Sequence, residues 1–283
     1  MQNDLERPLR ASLSELAIHS SDPKALSQFY ERALGYSFVE DDEGLLGVAL
    51  DRRLRINPGA SKSLRYAAFA VADVADLDQL RGRLTAARVA FDDGPWPGFS
   101  GAVRFADPDG NNFLFGIARP ATLQKFQATA SRPARLQHIV FASTNPARLI
   151  DFYIDVVGFT LSDRVLDDEG GLRTAFVRCG HEHHNLAVFL APENRIDHHC
   201  LEAGDWDLIR DWSDHFADER IPLRWGPGRH GPGNNLFVFV HDLDGNWVEI
   251  SAELEQVTPD RPVGNWPHEE RTLNSWGIGL LRS

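Results

Sequence analysis

The chain has 283 residues, with 29 Lys+Arg against 41 Asp+Glu for a formal net charge of −12, and 42% of it is hydrophobic. That length suits two globular domains, and the acidic balance argues against nucleic acid or an anionic membrane as partner, since both reward clustered Lys and Arg. Two cysteines, Cys179 and Cys200, are too few for a disulfide framework and fit a reducing cytoplasm, and no stretch has the pattern of a signal peptide or of a membrane span of about 20 apolar residues.

In chain order, residues 13–19 read as a strand, and Asp22-Pro23 opens a helix over 23–33 with Leu26, Phe29, Tyr30 and Leu34 on one face. Strands follow at 45–50 and 54–56. A second unit begins with a strand at 66–72, continues with a helix at 76–87 carrying Leu77, Leu80 and Leu84 at helical spacing, and ends with strands at 102–106 and 112–118. Residues 119–133, with two prolines, read as a linker. The pattern then repeats: strand 137–142, helix 146–155, strands 159–165, 173–179 and 185–190, strand 198–203, helix 205–217, and strands 235–241 and 246–252. The tail from 255 to 283 is irregular, but Trp266, Trp276 and Ile278 give it enough apolar area to pack on the body.

Two internal marks establish the repeat. Phe29-Tyr30 precedes Gly35-Tyr36 with the same spacing by which Phe152-Tyr153 precedes Gly158-Phe159, and an Asp-x-Asp-Gly-Asn turn occurs in each half, at 107–111 and 242–246. The turns lack the twelve-residue calcium pattern ending in Glu and read as hairpin turns. Each half therefore contains two βαβββ units, which pair to complete one core.

Ten of the eleven histidines lie from His138 onward. Three strand positions of the second half, His138, His199 and Glu249, bear candidate metal ligands; two His and one carboxylate can occupy one face of a metal and leave the other open. Superposing the repeats sets Glu15, Ala67 and Leu114 opposite His138, His199 and Glu249, so the first copy keeps the scaffold without the ligand set. His181 and His183 read as a solvated turn, and His184 as the start of an apolar strand. His230 sits in a Gly/Pro-rich loop, 226–233.

The segments Gly180-His181-Glu182-His183-His184-Asn185-Leu186-Ala187, Arg195-Ile196-Asp197-His198-His199, Gly228-Arg229-His230-Gly231-Pro232 and Asp244-Gly245-Asn246-Trp247-Val248-Glu249 make the chain resemble the type I extradiol ring-cleaving dioxygenases of the vicinal oxygen chelate superfamily, which include the 2,3-dihydroxybiphenyl and catechol 2,3-dioxygenases. The resemblance implies an α+β fold of four βαβββ modules paired into two tandem domains, each an open mixed β-barrel with helices outside: residues 8–120 without a metal site, 134–254 catalytic, and 255–283 a tail on the body. It implies cleavage of a catechol-type ring by dioxygen with Fe(II), or Mn(II), held by His138, His199 and Glu249. His198, adjoining His199, is then a supporting or outward residue. His184 becomes the acid/base and His230 a hydrogen-bonding partner of the substrate, with Phe176, Phe189, Phe237 and Phe239 lining its pocket and Leu190, Trp266 and Trp276 adding aromatic and apolar surface. Phe239 stands where the family usually carries a Tyr, a departure that bears on the substrate. A homo-oligomer in the cytoplasm is expected by analogy. The rival functions are a non-oxidative metal-dependent lyase or isomerase of the same superfamily, and a small-molecule binding protein on the same scaffold.

Overall fold

The computed structural model describes residues 8–119 and 132–281; most of the expected linker lies outside them. In the first half, β1 (Ala11–Ser20), α1 (Pro23–Leu34), β2 (Ser37–Asp41), β3 (Gly44–Ala49) and β4 (Arg52–Pro58) form one βαβββ unit. A second comprises β5 (Ser63–Val71), α2 (Val74–Ala86), β6 (Phe91–Trp96), β7 (Phe99–Ala106) and β8 (Asn112–Ala118). β1 pairs parallel with β4 and β5 with β8, while β1 and β5 meet antiparallel at the centre, giving the order β2-β3-β4-β1-β5-β8-β7-β6.

The second half repeats this topology. Its units are β9 (Arg135–Ser143), α3 (Pro146–Asp151) running into a π-helical turn at Phe152–Val157, β10 (Thr160–Leu166), β11 (Leu172–Arg178) and β12 (Leu186–Leu190), then β13 (Arg195–Gly204), α4 (Trp206–Asp218), β14 (Trp225–Arg229), β15 (Leu236–His241) and β16 (Trp247–Ala252). Its sheet runs β14-β15-β16-β13-β9-β12-β11-β10 and gains a ninth strand from the tail, β17 (Gly264–Pro267), parallel to β10. The tail continues into α5 (Glu270–Leu273). Neither sheet closes on itself, and the architecture is the expected open, mixed α+β one. Strands β2, β6, β14 and β17 were not expected. All four are sheet edges, and β6, β14 and β17 contain Gly and Pro, which suit an edge rather than a central strand.

Strand alternation divides each sheet into two faces. On the face that carries the helices, Leu136, Ile139 and Phe141 of β9, Leu201 and Ala203 of β13, and Val248, Ile250 and Ala252 of β16 join a core that also contains Phe69, Phe113 and Phe115 of the first sheet. The helices lie between the halves: Tyr153 meets Phe113 edge-on at 5.6 Å, and Tyr30 lies over His199 at 6.2 Å. The opposite, concave face of the second sheet carries His138, His198 and Glu249. Among the described residues, no helix is long and apolar enough to cross a membrane.

Candidate active site

Three adjacent strands place the central cluster. His138 on β9 faces Cys200 on β13, which in turn faces Glu249 on β16, and His198 stands two residues before Cys200 on the same face. Potential ligand atoms of His138, His198 and Glu249 lie within 4.8 Å of one another, all three residues being buried. His138 Nε2 is 3.1 Å and His198 Nε2 3.3 Å from Glu249 Oε2.

The structure thus gathers His198, and not the expected His199, with His138 and Glu249. His199 shares its side of β13 with Leu201 and Ala203, so its ring points into the core between the halves, where it stacks on Tyr30 and its Nε2 has no hydrogen-bond partner. Burial there drives its pKa down to about 3. The superposed repeat carried the signal: Ala67, opposite His199, is a core residue, whereas the preceding Tyr66 faces inward and donates to Glu15 Oε1 at 2.6 Å.

Neighbouring groups orient each of these side chains. His138 Nδ1–H donates to Gln137 Oε1, whose own amide donates to the His184 carbonyl at 2.6 Å. His198 Nδ1–H donates to Asp197 Oδ2 at 2.7 Å, and Arg195 holds the other Asp197 oxygen at 2.9 Å. Asn235 Nδ2 donates to Glu249 Oε1 at 3.2 Å. With both Nδ1 atoms occupied as donors, a neutral form of either ring would turn an Nε2 lone pair toward a carboxylate oxygen, an arrangement that a bound cation or a proton relieves. Two imidazoles and one carboxylate on one side of a pocket therefore fit a divalent metal with open positions.

The charges support this. Burial lowers the pKa of His138, against the pull of Glu249. Burial opposes ionisation of Glu249 as well, but the hydrogen bonds and charges of His138 and His198 outweigh it and hold that carboxyl well below its usual range. For His198 burial is likewise outweighed, by Asp197 and Glu249, and its pKa is raised.

His184 stands beside His138, ring centroids 4.4 Å apart, and burial together with the neighbouring histidines lowers its pKa well below the ordinary value. His230 follows β14 directly; its Nδ1–H donates to the Leu273 carbonyl, its Nε2 is 3.7 Å from Glu249 Oε1, and burial lowers its pKa to about 4. Both line the pocket with Phe176, Phe189 and Phe239. Four other expectations need correction. Phe237 lies behind His230, stacked at 4.0 Å. Trp266 bonds Asp163 on the far side of β10, and Trp276 is 53% exposed. His183, expected in a solvated turn, is fully buried. The tail supplies Thr272, Leu273 and Leu280 to the pocket, and β14 supplies Trp225, a contribution that followed no recognisable pattern in sequence.

Comparison with known proteins identifies the family. The Glyoxalase/Bleomycin resistance protein/Dioxygenase superfamily matches residues 12–115 and 135–250. A biphenyl-2,3-diol 1,2-dioxygenase of Paraburkholderia xenovorans is 31% identical, the alignment covering 96% of each chain. Metapyrocatechase 2 of Cupriavidus necator is 28% identical over 92% of this chain and 89% of its own. Homoprotocatechuate 2,3-dioxygenase of Arthrobacter globiformis superposes with a TM-score of 0.82 at 23% identity, covering 97% of this chain and 90% of that one, a likeness of fold. By the two matched segments and the full-length relatives, the chain belongs to the Glyoxalase/Bleomycin resistance protein/Dioxygenase superfamily and, within it, to the extradiol dioxygenases.

Proposed function

We propose that the protein is an Fe(II)-dependent enzyme that opens an uncharged, apolar-substituted catechol ring beside its hydroxyls, with His138, His198 and Glu249 as the metal ligands. The observation that carries this reading is the convergence of those three side chains on one wall of a pocket whose other polar edges are His184 and His230. Held by His138, His198 and Glu249, Fe(II) would supply the redox chemistry by which an ortho-diol ring reacts with dioxygen, a ring carbon–carbon bond breaking and both oxygen atoms entering the product.

The side chains divide the remaining work. His184, neutral in its buried position, accepts a proton from one diol hydroxyl. His230, its Nδ1–H fixed on the Leu273 carbonyl, keeps Nε2 free toward Glu249 and the substrate oxygens. Phe176, Phe189, Val140, Ala187 and Leu280 surround the ring, and no Lys or Arg lines the pocket among the described residues. A carboxylate on the substrate would be buried there without a counter-charge, which is costly; an aryl or alkyl substituent would gain from the apolar wall.

The test is metal analysis of anaerobically purified protein followed by oxygen uptake on neutral and carboxylated ortho-diols. The expected result is about one iron per chain and uptake matched to neutral diol consumed. Bound metal without uptake on any diol would overturn ring cleavage in favour of a non-oxidative reaction, and a preference for carboxylated diols would overturn the substrate class.

A further inference from the structure

His184 is backed by a chain of buried polar groups that does not line the pocket. His183 Nδ1 is 3.0 Å from His184 Nδ1, and His183 Nε2 is 3.0 Å from Asp163 Oδ2, a close electrostatic contact that lies off the direction of a hydrogen bond. Asp163 is fully enclosed and receives three further donors: Arg261 Nη1 at 2.8 Å and Gly264 N at 3.1 Å on Oδ1, and Trp266 Nε1 at 2.7 Å on Oδ2. A carboxyl group surrounded in this way is an anion and accepts only, so the imidazole nitrogen facing it carries a hydrogen. Arg261 already supplies the counter-charge, so a neutral His183 satisfies the site. Its Nδ1 is then a lone pair, and the 3.0 Å contact between the two rings requires the hydrogen to sit on His184 Nδ1.

We propose that Asp163 and His183 are positioning residues for His184, fixing the tautomer that carries its hydrogen on Nδ1 and leaves Nε2 an acceptor toward the pocket. The inference rests on the reading of His184 as the group that takes a proton from the substrate, for which Nε2 must be free. The second sheet supplies one end of the chain from β10, and the tail locks that end through Arg261 and β17, so a segment remote in sequence from His184 governs its state. The arrangement has the logic of a carboxylate that orients a catalytic imidazole through its distal nitrogen, with a second imidazole interposed.

The full chain, free of metal and with ¹⁵N-labelled imidazoles, provides a test independent of turnover. Long-range ¹H–¹⁵N correlation is expected to show His184 with a protonated Nδ1 and an unprotonated Nε2; a hydrogen on His184 Nε2 would overturn the proposal. In the iron-loaded enzyme, His183→Leu removes the acceptor and is expected to lower kcat by about tenfold or more while the diol KM changes by less than about threefold, because orientation of a base acts on the chemical step. His183→Asn places an amide oxygen where Nδ1 stood and is expected to restore kcat to within about threefold of the parent. Equal kcat for the Leu and Asn variants, with melting temperatures that match, would also overturn it. Absence of oxygen uptake by the parent would sink the ring-cleavage reading alone, since the tautomer spectrum decides this one separately.

Discussion

The hydroxyl of Tyr30, on α1 of the first half, donates to Oδ2 of Asp242 in the second half at 3.1 Å, and the repeat returns the contact: Tyr153 donates to Asp107 Oδ2 at 2.6 Å. Each aspartate heads an Asp-x-Asp-Gly-Asn turn whose Oδ1 accepts from two backbone amides, so one buried carboxylate both ties its own turn and latches the helix of the other half. Gly110 and Gly245, at φ +87° and +79°, permit the turn to close. Tyr153→Phe should destabilise the chain by about 1–2 kcal/mol, since the buried carboxylate loses a donor, and Tyr30→Phe by less because its bond is longer. Denaturant unfolding of the two variants checks this; equal midpoints in parent and Tyr153→Phe would show the latch to be idle.

Much of this was legible in sequence. The Phe-Tyr helices and Asp-Gly-Asn turns revealed the duplication because each mark has a local physical requirement. Edge strands such as β14 were not legible, because Gly and Pro there suit an edge and a loop equally. The adjacent His198 and His199 were separable in principle: Leu201 and Ala203 are core residues, and His199 shares their parity. The bulge between Ile196 and His198 shifts the register just upstream, so counting from Ile196 gives the opposite answer. The buried chain through His183 was illegible because its partners, Asp163 and Arg261, are distant in sequence and only the fold joins them.

His198→Gln should therefore strip the chain of tightly bound metal, whereas His199→Gln should leave metal content unchanged, since the His199 ring faces Tyr30. Metal analysis after dialysis separates the two. A metal-free His199 variant beside a fully loaded His198 variant would reverse the assignment.

His184→Gln should retain metal near the parent content and lose most of its turnover, by about 10²-fold or more, as removal of a positioned acid/base does. The ring stands beside His138 without joining the His138, His198 and Glu249 cluster, which is why metal and rate should separate. Steady-state oxygen uptake on metal-matched samples measures this, and unchanged kinetics would remove His184 from the mechanism.

Phe239 meets His198 edge-on at 5.2 Å, stacks on Trp225 at 5.3 Å and lines the pocket. A hydroxyl added by Phe239→Tyr would be a new donor near the substrate oxygens. A charge-assisted bond is worth about 1.5–3 kcal/mol, so kcat/KM on unsubstituted catechol should rise about tenfold or more. Parallel measurements on an aryl-substituted diol show whether the gain is general; no change on either diol would mean that His230 alone suffices.

Asp163 offers a pH test that leaves the chemistry aside. Burial pushes its pKa up, but the contacts with His183, Arg261 and Trp266 prevail and bring it to about 2 from an ordinary 3.8. A carboxyl depressed in the folded state favours folding above its unfolded value, and that contribution fades as pH falls toward the folded value. The shift corresponds to on the order of 2 kcal/mol, present above about pH 5 and lost between about pH 4 and pH 2. The stability gap between parent and Asp163→Asn, read from urea midpoints, should hence be constant from pH 8 to 5 and shrink below pH 4. Other carboxylates titrate in both proteins and cancel in the difference. A gap that stays constant down to pH 2 would mean that the tail is held by Arg261 and β17 pairing without help from the Asp163 charge.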